Sequence, residues 1–120
     1  MKLSGVMLGS ENPKALGEFY TKVFGEAGWQ EDDWFGFDIG GNNLMVGPHS
    51  DVKGKNADAP RVMYTIESDA VKEDFDRIKN CGAVVVAEPY NPNPDQPDMW
   101  LATLADPDGN YFQLASPWVE

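Results

Sequence analysis

The side chains able to do chemistry are few. A single histidine, His49, a single cysteine, Cys81, and two short carboxylate groups, Glu31-Asp32-Asp33 and Asp106 with Asp108, are where a metal or nucleophile would have to be sought. His49 sits in a stretch flanked by Gly47, Pro48 and Gly54, which reads as a loop. Cys81 closes a helix pattern with no histidine or basic cluster beside it, the setting of a small buried residue rather than of an activated thiol. The two acidic groups fall in turns and lack the regularly spaced oxygens of a calcium loop. No phosphate-binding glycine loop, nucleophile elbow or paired-cysteine zinc motif is present.

Arg61 heads the apolar run Arg61-Val62-Met63-Tyr64-Thr65-Ile66, and Gln113 lies within a second such run, Tyr111-Phe112-Gln113-Leu114. An arginine on the inward face of a strand needs an anion, because an unpaired buried charge is costly. That anion is either a carboxylate of the protein or an acidic group of a ligand. Strand alternation groups Met63 and Thr65 with Arg61, Tyr111 and Ala115 with Gln113, and Met7 with Gly5 and Gly9. Met7, Met63, Trp34 and Trp100 have two readings, as filling between sheet and helix and as walls for a planar ligand.

The elements that must position these residues repeat. Asn12-Pro13 followed by Leu16, Phe19, Tyr20 and Val23 predicts a helix that Gly25 and Gly28 close. Ser68-Asp69 followed by Val71, Phe75 and Ile78, then Gly82, predicts a second. An offset of 56 residues carries Val6-Met7 onto Val62-Met63 and Phe19 onto Phe75. Strand-like hairpins follow each helix, at Trp34–Ile39 with Asn43–Pro48, and at Trp100–Leu104 with Tyr111–Pro117. Ala83–Ala87 supplies an extra strand in the second half, and its counterpart near Gly28–Glu31 is weaker. The expected fold is α+β: two tandem βαβββ modules, about 1–50 and 60–120, forming a curved, mostly antiparallel sheet cup with the helices outside, as one domain over 1–120. Gly47 to Pro60 is the expected linker, and Pro89 to Pro97 a candidate lid.

With nine basic and twenty acidic side chains, the chain carries a formal charge of −11 and no basic cluster, which argues against nucleic acid as a partner. No run reaches the roughly 18–20 apolar residues of a membrane span, and the first residues do not form a secretory signal. The expectation is a cytoplasmic protein with no membrane partner, in keeping with its single cysteine.

The repeat, the helix ending Phe19-Tyr20-x-x-Val23-Phe24-Gly25, and Leu104-Ala105-Asp106-Pro107-Asp108-Gly109-Asn110-Tyr111-Phe112-Gln113-Leu114 together resemble the vicinal oxygen chelate superfamily of glyoxalases, bleomycin-resistance proteins and extradiol dioxygenases. The resemblance implies a divalent ion held by ligands from the first and last strand of each module. In such proteins the first-strand ligand stands fourteen positions before the helix Phe, which falls on Gly5 and Arg61, and the last-strand ligand three after the hairpin Asn, which falls on Gln113, with Val46, or Met45 if the register slips by one, as its counterpart. That set does not suit a metal, so no metal ligand or cofactor is expected. The implied function is a metal-free small-molecule-binding protein, with Arg61, Gln113, Met7, Met63, Trp34, Trp100 and Tyr111 at the ligand. The alternative is a metal-dependent or acid–base lyase, isomerase or dioxygenase, with Glu67 beside Arg61. The resemblance also implies a homodimer.

Overall fold

The structure, a computed structural model, describes residues 1–117. It separates into two compact units, Met1–Gly54 and Lys55 onward. The first contains β1 (Gly5–Ser10), α1 (Pro13–Phe24), β2 (Trp29–Glu31), β3 (Trp34–Ile39) and β4 (Asn42–Pro48). The second opens with a 3₁₀ turn, Ala59–Arg61, and continues as β5 (Tyr64–Glu67), α2 (Val71–Asn80), β6 (Val84–Tyr90), β7 (Leu101–Ala105) and β8 (Tyr111–Ala115).

Each unit is a βαβββ module whose four strands form one mixed sheet, in the orders β1-β4-β3-β2 and β5-β8-β7-β6. The hairpins are antiparallel as expected, but the first and last strand of each module pair in parallel, β1 with β4 and β5 with β8. Parallel pairing requires a crossover, and in each unit the helix and two strands lie between the paired strands. Gly40 and Gly41 supply the positive φ of the β3–β4 turn, at 60° and 92°. In the β7–β8 turn the buried Asp106 carboxylate accepts the backbone N–H groups of Asp108 and Asn110, at 2.9 and 3.0 Å, and the Asn110 amide.

Both helices bury one apolar stripe: Leu16, Phe19, Tyr20 and Val23 in α1, and Val71, Phe75 and Ile78 in α2. Against α2 stand the inward residues of its sheet, Phe112, Leu114, Leu104 and Ala102, all at most 1% exposed. Each large apolar side chain so buried contributes about 1.5–3 kcal/mol before entropy is charged against it.

The modules superpose at an offset of 58 rather than 56. Ser10 and Ser68 are both buried, and their hydroxyls accept the backbone N–H two residues on, from Asn12 and Ala70. The helices begin at the next residues, Pro13 and Val71. Phe75 therefore answers to Gly17, not to Phe19. A Cβ at Gly17 would overlap the Phe35 ring, so in the first unit β3 supplies the aromatic bulk at that point. The β7 residue corresponding to Phe35 is Ala102. Large and small thus exchange places between helix and sheet, which preserves core volume and defeats a register read from aromatic spacing.

Two segments differ from expectation. The strand in the second unit starts at Tyr64, because Pro60 lies in the 3₁₀ turn and Arg61 ends it. Pro89 and Tyr90 belong to β6, so the proline-rich loop begins at Asn91.

Candidate functional site

In the second unit, alternation sends Tyr64, Ile66, Phe112 and Leu114 toward α2 and leaves Thr65, Glu67, Gln113 and Ala115 on the other face. That face floors a cleft of about 640 Å³. Leu101 and Ala115 form the apolar part of the floor, and Pro92, Asn93, Gln96 and Met99 form a wall. Thr65 lies directly beside Gln113, and its hydroxyl donates to Gln113 Oε1 at 3.4 Å.

The wall is a self-bonded loop rather than a loose flap. Asn91 Nδ2 donates to the carbonyls of Gln96 and Met99, at 2.9 and 3.0 Å, and its Oδ1 accepts the Asn93 N–H. Asn93 in turn accepts the Asp95 N–H. At the base, Trp100 N–H donates to Ser116 Oγ at 2.9 Å, and Ser116 N–H to the Trp100 carbonyl at 3.0 Å.

In the first unit, the corresponding row across the sheet is Met7, Met45, Gly36 and Trp29, against Thr65, Gln113, Thr103 and Ala87 in the second. Without a side chain at Gly36, Trp29 and Met45 close over it, each within 3.7 Å of where a Cβ would stand. On the same face the Trp34 ring lies against Gly47, where a Cβ would overlap it. Met7 and Trp29 remain 44% and 46% exposed, so this face is an apolar surface of thioethers and indoles. A larger groove of about 900 Å³ runs between α1 and β2, but Lys14, Lys22, Glu18, Asp32 and Asp33 line it, and it lies away from both strand-paired rows. Its mixed charges are those of a solvated surface.

Several expected residues stand elsewhere. Arg61 is not on a strand face: it ends the 3₁₀ turn, its side chain is 78% exposed, and its Nε donates to Asp58 at 2.6 Å. A carboxylate of the protein is its partner, in a surface pair that contributes about 0–1 kcal/mol. Trp100 lies under Lys72 of α2, whose Nζ is 3.7 Å from the ring centroid, and so faces the helix rather than the cleft. Trp100 is not the counterpart of Trp34, which Leu101 is. Met63 precedes β5 and is 37% exposed. Tyr111 shares the face of Gln113 by alternation and is not among the described lining residues. His49 is an exposed loop residue whose Nδ1 accepts the Asp51 N–H.

Of the expected set, only Gln113 lines the cleft. Leu101 lines the cleft without having been expected there, Thr65 and Met45 are strand-paired with Gln113 and Met7, and Arg61 pairs with Asp58 rather than standing beside Glu67. The shared Ser-x-x-helix turn at Ser10 and Ser68 was the signal that would have placed them.

The residues of the chain match the glyoxalase-like domain family over positions 5–115. The chain belongs to that family. With it comes membership of the vicinal oxygen chelate superfamily. Similar folds include a glyoxalase-related enzyme from Fulvimarina pelagi, 18% identical with a TM-score of 0.76, aligned over 97% of this chain and 88% of that one. A glyoxalase/bleomycin resistance protein/dioxygenase family enzyme from Burkholderia phytofirmans PsJN is 22% identical with a TM-score of 0.71, over 97% and 98%. TioX from Micromonospora sp. ML1 is 17% identical with a TM-score of 0.71, over 97% and 98%. No match to a curated protein was found.

Gln113 has Thr65 as its first-strand neighbour, and the 58-residue offset carries Thr65 to Met7, whose last-strand neighbour is Met45. At that offset Met7 with Met45 and Thr65 with Gln113 are equivalent strand pairs, one in each unit. Neither pair, two thioethers in the first unit or a hydroxyl with an amide in the second, supplies the imidazole, carboxylate or thiolate that a hard or borderline divalent ion takes. Among the described residues no group of three or more His, Cys, Asp or Glu side chains could hold a metal. Nor is any helix there long and apolar enough to cross a membrane.

Proposed function

We propose that this glyoxalase-like chain is a small-molecule-binding protein whose ligand site includes the cleft of the second unit, and that it works without the superfamily's divalent ion. The observation that carries the reading is the identity of the strand-paired residues. On the first and last strands of the two units, Thr65 and Gln113 offer hydrogen bonds beside the apolar Leu101 and Ala115, and Met7 and Met45 offer polarisable apolar contact. A cleft of that size with a few polar groups on an apolar floor suits orienting a ligand rather than polarising it. Gln113, Met7 and Trp34 stay in the proposed binding set, joined by Thr65 and Met45. The reading includes a cytoplasmic homodimer, which light scattering would check as twice the chain mass.

The direct test is an amide NMR screen against small aromatic and aliphatic compounds, with and without chelator. Shifts that include Thr65, Gln113, Leu101 and Ala115, unaffected by chelator, support the reading. Shifts that require added metal contradict it.

Glu67 favours a second reading. Its carboxylate lines the same cleft and could take a proton from a bound substrate. Turnover of a screened ligand that Glu67→Gln abolishes while binding persists would establish that reading.

A further inference from the structure

Resting on the binding reading above, we propose that the cleft of the second unit selects ligands that carry a cationic donor, such as a protonated amine or amidine, on an apolar body. The argument is an account of hydrogen-bonding capacity around the cleft. Ser116 Oγ accepts the Trp100 N–H and donates toward the Asp98 carbonyl at 3.3 Å, so its hydroxyl is committed to the protein. Asn93 Oδ1 is taken by the Asp95 N–H. The Thr65 hydroxyl donates to Gln113 Oε1. Among the described lining residues the uncommitted polar side-chain groups then include the Gln96 amide and the Gln113 Nε2, both neutral, and the Glu67 carboxylate, which has no hydrogen-bond or ion-pair partner.

Glu67 is also the only formally charged group among those lining residues, since no Lys, Arg or His is with them. It stands two residues beyond Thr65 on the same face of β5, next to Ala115 on β8, so a donor paired to it would sit beside the apolar floor. A carboxylate accepts only, and an ionised acceptor makes its stronger hydrogen bonds with a charged donor. An anionic ligand would meet Glu67 directly, within the field of a chain whose formal charge is −11. Because Glu67 is exposed, the selection is modest: an exposed ion pair corresponds to about a fivefold preference at most.

The test uses the intact chain and three apolar bodies, phenyl, indole and naphthyl, each carrying an ethylammonium, a propionamide or a propionate group. Affinities come from amide NMR titration at low and high salt. The expected order is ammonium tighter than amide by about threefold to fivefold, and propionate weakest, with the gap shrinking at high salt. Glu67→Gln should erase the ammonium preference, so that ammonium and amide compounds bind the variant alike. Asp76→Asn removes the same charge from the exposed side of α2, on the opposite face of the sheet, and should keep the preference. Ammonium and amide compounds binding equally, or Asp76→Asn erasing the preference as fully as Glu67→Gln, would overturn the selection while leaving the binding reading intact. No shift at the cleft with any compound would overturn both.

Discussion

Gly17→Ala should reverse the usual sign of its kind. In an exposed helix interior alanine is favoured over glycine by about 1 kcal/mol. At Gly17 the added methyl would overlap the ring of Phe35, which is 4% exposed and cannot swing into solvent without opening the core. Overpacking costs about 1–3 kcal/mol, so the expected net effect is destabilisation, read as a lower denaturation midpoint with an unchanged slope. Pairing Gly17→Ala with Phe35→Leu should recover part of the loss. Gln113→Ala should act in the opposite pattern. Gln113 is half-buried and bonded only to Thr65 at 3.4 Å, so stability should change by less than about 1 kcal/mol. Ligand affinity, measured by titration, should fall severalfold. The strand position of Gln113 was legible because the Asp-Pro-Asp-Gly-Asn turn pins the strand after it. Arg61 was misread because Val62-Met63 imitates Val6-Met7, while Pro60 and the Asp58 pair hold Arg61 in a turn before the strand begins.

At the scale of elements, the β7–β8 turn and the loop that walls the cleft are held by single side chains. Asp106→Ala removes an acceptor shared by two backbone N–H groups and an amide at a site 2% exposed. The expected cost is about 2–4 kcal/mol, seen as a fall in Tm. Asn91→Ala frees the Gln96 and Met99 carbonyls and should speed hydrogen exchange across 91–99 and weaken ligand binding, with little change in Tm. Helix positions, hairpins and the βαβββ order could be read directly, since apolar spacing and turn residues are local signals. The parallel closure of each sheet could not, because pairing between the first and last strands of a module is a long-range outcome with no local mark. The two-residue error in the repeat has a physical source. Phe75 and Phe19 look alike in the sequence, but the bulk at the Phe75 position is supplied in the first unit by Phe35 of β3.

At the scale of the molecule, the βαβββ scaffold of the superfamily is intact in both units, and the equivalent strand pairs of the two carry Met7 with Met45 and Thr65 with Gln113. A fold fixes where ligands can be presented, and the side chains at those places decide the chemistry. The central proposal is that the chain binds its ligand without a divalent ion, since neither strand pair supplies a metal donor. It is tested most directly by the metal content of untagged protein, purified without chelator and incubated with nickel, zinc, manganese or ferrous iron. The account predicts less than about a tenth of an equivalent per chain for every metal, as the donor set requires. A content near one equivalent would contradict it and return the site to metal-dependent chemistry.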